Sequence, residues 1–196
     1  MPETSGDGRV VSDWLGEARS LSAAERILDA AARLFAERGV AATQMGDIAK
    51  AAGCSRATLY RYFDSRQAVQ LAFVHRAARH VGARVAEEIA GITDPGERAV
   101  AGVLASLRAV RADPLLIAWF RPGDAGLAIE IAQTSQVIEA IAGSVTGDAP
   151  DPEATLLARW LTRTIVSLLT VPGRDEAEES QMLHRFIAPL FTSAHR

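Results

Sequence analysis

Apolar positions recur every three to four residues along nearly the whole chain. No stretch keeps a period of two, so the pattern predicts helices and no sheet. Residues 1–20, with Gly6, Gly8 and Gly16, read as a loose arm on which Trp14 and Leu15 could dock a short turn. The first firm helix is expected to open at Ser22, because Ser22 and Glu25 form a capping box. It would carry Ile27, Leu28, Ala31, Leu34 and Phe35 on one face and stop at Gly39. Thr43 can cap a short second helix over 44–52, with Met45, Ile48, Ala49 and Ala52 inward. Gly53 permits a tight turn, and Ser55 caps a third helix reaching Phe63. A long fourth helix should run from Asp64 to about Ala90.

Beyond residue 90 one piece of punctuation repeats. Asp94 with Pro95, Asp113 with Pro114 and Asp151 with Pro152 each set an N-cap aspartate before a proline in the first helical turn. Helices are therefore expected at 95–111, 114–120 and 152–171. Arg121, Pro122 and Gly123 interrupt the chain before a helix over 124–145, and Asp175 with Glu178 opens a last one to about Ser193. The expected fold is all-α with nine helices, three of them in an N-terminal head. The domains would be a flexible arm (1–20), a helix-turn-helix head (21–66) and a ligand-binding and dimerisation body (67–196).

Two short helices joined at a glycine and braced by a preceding one have helix-turn-helix geometry. Leu59 and Phe63 must be the core side of the third helix, which turns Ala57 and Arg61 outward, flanked by Thr58 and Tyr60. Arg56 has the reach to read a guanine edge bidentately, and Ala57, Thr58 and Tyr60 suit thymine methyls or a deep seat in the groove. Thr43, Arg61, Tyr62 and Arg66 are placed for phosphates, with Ser55 at the head of the recognition helix. The expected partner is a double-stranded DNA operator.

Charge adds modest support. The chain is at −3 overall, yet residues 20–66 hold seven basic and five acidic residues while 91–196 hold nine and thirteen. The single cysteine, Cys54, excludes an internal disulfide and fits a reducing compartment, and the N-terminus lacks the basic start and apolar centre of a signal peptide. No run of about 18 apolar residues is free of charge, so no membrane contact is expected, and the location expected is cytoplasmic. Cys54 reads as a small apolar residue of the turn. His75 and His80 lack the i, i+4 spacing of a helical metal pair, and His184 and His195 lie far off. No nucleophile elbow, phosphate-cradling loop or Cys/His cluster occurs, so neither enzyme activity nor a metal or cofactor is expected.

The run from Ala31 through Leu34 and Phe35 to Gly39 is followed by Ala42, Thr43, Ile48 and Ala49. Then come Gly53, Ser55, Thr58, Leu59, Tyr60 and Phe63, with Ser65 and Arg66. Over residues 22–70 this closely resembles the TetR family of bacterial repressors. The resemblance implies a nine-helix homodimer that binds a palindromic operator and is released by a small-molecule effector. It places Arg56, Ala57, Thr58 and Tyr60 at bases, and Thr43, Arg61, Tyr62 and Arg66 at phosphates. Gly46 departs from the family, which often has a basic or polar residue there, and implies a lost backbone contact.

In the body, Leu157, Trp160, Leu161, Thr164, Ile165, Leu168 and Leu169 make a surface too broad for one core stripe. With Met182, Leu183, Phe186, Ile187, Leu190 and Phe191 they are expected to build a four-helix dimer interface. An effector pocket is expected among Leu104, Leu107, Leu116, Trp119, Phe120, Ile131 and Ile138, with Arg108, Gln133 or Thr134 as polar anchors. Its ligand would be mainly apolar, an aromatic one included. The competing reading is an all-α small-molecule-binding protein or enzyme whose head no longer binds DNA.

Overall fold

The computed structural model describes residues 7–146 and 152–193, and among them there are eleven α-helices, one short 3₁₀ turn and no strand. The first helix, α1, spans Asp7–Arg38, so it opens well before the expected start at Ser22. No proline interrupts residues 8–22, and a capping box only starts a helix where the preceding chain leaves it. Residues 1–6 of the expected arm lie outside the described residues, as do the side chains of Trp14 and Leu15. Gly39, at φ +90°, ends α1 in the left-handed region where a Cβ is penalised.

Helices α2 (Met45–Ala51) and α3 (Arg56–Tyr62) follow, joined by a turn with Gly53 at φ +67°. Ser55 caps α3 by accepting the Thr58 amide. Thr43, by contrast, does not cap α2: its hydroxyl donates to the Gly39 carbonyl at 2.9 Å, and Gln44 holds the N-cap position. Ser65 caps α4 (Arg66–Ile89) through the Ala68 amide.

Asp94 and Asp113 cap α5 (Pro95–Arg111) and α6 (Pro114–Ile117), each accepting a first-turn amide. The chain then tightens into the 3₁₀ turn Ala118–Phe120 instead of continuing as α-helix. The single helix expected over 124–145 is two, α7 (Ala125–Thr134) and α8 (Gln136–Thr146). Ser135 divides them, because its hydroxyl accepts the Ile138 amide and so starts a new helix. Helix α9 is Pro152–Thr170, and its expected cap, Asp151, lies outside the described residues. Asp175 caps α10 (Glu176–Phe186), and α11 (Ala188–Ser193) follows a break at Ile187. Pro189 explains that break, since it has no amide hydrogen and its ring collides with the carbonyl of the preceding turn.

Two cores result. The head core gathers Ile27, Leu34 and Phe35 of α1, Val40, Ile48, Leu59, and Val69 and Phe73 of α4. It also takes in Trp119 and Ile131 from the body, so head and body share packed side chains. The second core joins Val100, Val103 and Leu107 of α5 to Leu161 and Leu169 of α9 and to Leu183, Ile187 and Phe191. Beside it Glu179, 1% exposed, accepts two bonds from Arg111 at 2.7 Å each and one from the Gly173 amide at 2.8 Å. This charge-assisted cluster pins the turn before α10 to α5.

Candidate DNA-binding head and effector cavity

Leu59 is wholly buried, and this orientation of α3 leaves Arg56, Ala57, Tyr60 and Arg61 exposed beside Ser55. Thr58 is half-buried, its hydroxyl 2.9 Å from that of Ser55. Tyr62 is also half-buried; it packs on the head core and lies under the Arg61 guanidinium, 5.7 Å from the ring centre. Arg66 donates to the Ala41 carbonyl at 2.8 Å, which commits part of its guanidinium to the turn after α1. Thr43 leaves the expected phosphate set, because it is fully buried and its hydroxyl is occupied. The exposed side chain at the head of α2 is Gln44, which capping logic passed over.

Gly46 proves to be a contact position. A Cβ there would meet the Arg56 guanidinium where it now lies, at the end of a flexible, exposed side chain that can move aside. The head is tied to α4 by Arg76, which pairs with Glu25 and, at 2.9 Å, with Asp29. Cys54 is half-buried in the turn. His75 Nε2 lies 2.8 Å from the Ser135 hydroxyl; burial, and after it the charge of Arg79, hold its imidazole below the usual value. No group of three or more metal-ligating residues forms among the described residues. Nor is any described helix long and apolar enough to cross a membrane.

The body contains a cavity of about 200 Å³. Phe73, Ala77, Val81 and Val85 of α4 form one wall, and Val103 and Val110 of α5 another. Leu116, Trp119 and Phe120 close one end, Ile138 and Ile141 of α8 and Leu161, Ile165 and Leu169 of α9 the rest. Of the expected pocket residues, Leu116, Trp119, Phe120 and Ile138 therefore line it. Leu104, Leu107 and Ile131 pack into the cores instead. Of the expected polar anchors, Arg108 is exposed and pairs with Glu88 and Glu176, and the exposed Thr134 bonds the Glu130 carbonyl. Gln133 accepts from Arg163 and lines a second pocket that shares Ala132, Thr162 and Val166 with the cavity. The small residues of α4 that form its wall were missed, since alanines and valines at helical spacing also describe ordinary packing.

The expected dimer surface divides. Leu161 and Leu169 are buried, and with Ile165 they face the cavity, while Leu157 and Leu168 pack on the second core. Thr164 is half-buried and bonds the Trp160 carbonyl. What remains outward are Leu156 and Trp160 on α9, Val171 just after it, and Met182, Phe186 and Leu190 on α10 and α11. Leu156 and Val171 were not in the expected set; the i, i+4 register of Leu156 with Trp160 was the available signal for the first.

An all-α body carrying a helix-turn-helix with an exposed recognition face defines a DNA-binding transcriptional regulator. The chain belongs to the tetR family of bacterial regulatory proteins, whose profile matches residues 27–73. An uncharacterised HTH-type transcriptional regulator of Mycobacterium tuberculosis is 47% identical over 186 residues, 93% of this chain and 92% of its own length. The HTH-type transcriptional repressor KstR of Rhodococcus jostii is 28% identical over 158 residues, 74% of this chain and 72% of its own. Among solved structures, the TetR family repressor AlkX of Dietzia sp., implicated in biodegradation of n-alkanes, superposes with a TM-score of 0.60 at 26% identity. That match covers 86% of this chain and 94% of AlkX. The protein is thus a transcriptional regulator and not an enzyme.

Proposed function

We propose that the chain is a repressor that binds a palindromic operator as a homodimer and leaves it when a mainly apolar small molecule enters the cavity. The observation that carries this reading is Trp119, which lines the cavity while packing into the head core. Its ring stacks on Phe73 of α4 at 5.4 Å and meets Phe35 of α1 edge-on at 5.3 Å. The residues just after it reach the head directly. Arg121 donates to the Ala36 carbonyl at 2.8 Å, and the Asp124 carboxylate accepts the amides of Val40 and Ala41 at 3.2 and 3.0 Å. A ligand that displaces Trp119 and Phe120 therefore pushes on α1, on the turn before α2 and on α4 together.

In the homodimer two heads read half-sites about 34 Å apart, so a small tilt of each spoils the match. KstR and AlkX, both repressors by name, support the sign of regulation. The outward apolar rows on α9 and on α10 and α11 supply the pairing surface. Reciprocity sets the energetic demand: a hundredfold loss of operator affinity needs about 2.7 kcal/mol of preference by the ligand for the released state. The test is operator affinity on the protein's own upstream intergenic DNA across titrations with a panel of apolar molecules. Specific binding that no panel member weakens refutes effector release, and absence of specific binding refutes the repressor reading altogether.

A further inference from the structure

The seam between α7 and α9 adds a polar space to the apolar one. A second pocket of about 350 Å³ lies there, with Gln133 of α7 and Arg163 and Ser167 of α9 in its wall. It meets the cavity at Ala132, Thr162 and Val166, whose short side chains line both. The described residues around the cavity are all uncharged, whereas Arg163 puts a cation in the second pocket. Arg159, one turn earlier, is paired with Glu139 at 2.9 Å. Arg163 has no carboxylate partner among the described residues, and its guanidinium reaches across to α7 to donate to Gln133 Oε1 at 3.1 Å. With that oxygen engaged, the Gln133 amide has its N–H groups left to give. The hydroxyls of Thr162 and Thr170 are already committed to the carbonyls of Ala158 and Val166, at 2.9 and 2.8 Å. The Ser167 hydroxyl stands on the same face as Arg163, four residues on. Donors thus gather around one unpaired positive charge, which is the complement of a group that only accepts and carries a single negative charge.

We propose that the effector is a hydrocarbon chain ending in a carboxylate, with the chain in the cavity and the carboxylate in the α7/α9 pocket on Arg163 and Gln133. The proposal rests on the cavity being the effector site. Inside the cavity itself an ion would shed its water and meet no cation, which is strongly unfavourable. At the seam the carboxylate keeps part of its hydration, because Arg163 and Ser167 are exposed, and it gains charge-assisted bonds. A guanidinium already held by Gln133 loses little freedom on binding it. The chain behind the carboxylate buries methylenes against α4, α8 and α9, and that burial supplies most of the affinity.

Octanoate, octan-1-ol and octylammonium share one chain and carry charges of −1, 0 and +1 at about pH 7.5. Equilibrium dialysis against the full chain reads the binding of each. Octanoate should bind about tenfold more tightly than octylammonium, since an exposed ion pair and the matching like-charge repulsion each contribute a few-fold, and octan-1-ol should fall between them. Hexanoate should bind about fifteenfold more weakly than octanoate, because two buried methylenes are lost; a carboxylate resting on a surface arginine alone would show no such step. Arg163→Glu should reverse the order of the three, with octylammonium first and octanoate last. Octylammonium binding wild type as tightly as octanoate overturns the proposal, and so does hexanoate matching octanoate; neither comparison needs a variant. An unchanged order in Arg163→Glu overturns Arg163 as the anchor, and binding of none of the ligands overturns the proposal together with the cavity as their site. If octan-1-ol binds and releases operator while octanoate does neither, the acid end falls and the effector cavity stands. If octanoate binds as expected while operator affinity stays constant, the ligand chemistry stands and effector-driven release falls.

Discussion

Replacing Asp124 with alanine should unfasten the head from the body at one point. The carboxylate is 9% exposed and accepts the amides of Val40 at 3.2 Å and Ala41 at 3.0 Å, across more than eighty residues of chain. Hydrogen bonds to a charged acceptor contribute about 1.5–3 kcal/mol each. The two amides do not fare alike when it is gone. Ala41 is exposed and can turn to water, whereas Val40 is fully buried and its N–H would stay unpaired. The cost for Asp124→Ala is therefore about 2–4 kcal/mol, and Asp124→Asn, which keeps one acceptor oxygen, should lose about half of that. At roughly 2–4 °C per kcal/mol for a chain of this size, the alanine variant should melt about 5–15 °C lower. Circular dichroism at 222 nm reads the shift, and amide exchange localises it: Val40 and Ala41 should lose protection before the second core does. A melting temperature within about 2 °C of wild type, with both amides still protected, would refute the reasoning.

Arg56→Ala should cost about 1–3 kcal/mol of operator binding and relax preference at one base position per half-site, measured on a library of operator variants. Arg66→Ala should weaken all sequences alike and flatten the dependence on salt, but it also removes the bond to Ala41, so its melting temperature should fall too. Phe186, 66% exposed on α10, is the cleaner probe of the pairing surface than the inward-packed Leu168. Phe186→Arg should give well-folded monomers in sedimentation at micromolar concentration, and an intact dimer would move the interface elsewhere. The Glu179 carboxyl is held below its ordinary 4.5 first by hydrogen bonding to Arg111, against the opposing effect of burial. Because its folded value is depressed, the stabilisation is present above 4.5 and is lost as pH falls through the folded value. Glu179→Ala removes the acceptor of two Arg111 bonds and of the Gly173 amide, while the partly exposed Arg111 keeps its bond to the Leu168 carbonyl, so the variant should lose about 1–3 kcal/mol near neutral pH. Its denaturant midpoint should also depend less on pH below about 4.5 than the wild type's does.

Signals that act within a few residues were legible in the sequence. Asp94, Asp113, Asp175 and Ser55 each cap the helix that follows, because a side-chain oxygen competes only for amides in its own first turn. The two short helices about Gly53 and the inward Leu59 followed from helical spacing, and with them the family and the all-α fold. Ser22, Thr43 and Ser135 show where such reading stops. Each has a hydroxyl able to cap, yet Ser22 lies inside α1, Thr43 turns back to Gly39, and Ser135 divides a helix that periodicity had joined. Only tertiary structure decided which face of α9 is covered: Leu161 and Leu169 turn to the cavity and Leu156 and Trp160 to solvent, although all four sit in one apolar run. The same holds for Trp119, whose role comes from meeting Phe35 and Phe73, residues far from it along the chain. Periodicity states that a helix has an apolar side, but what that side faces depends on where every other helix has packed.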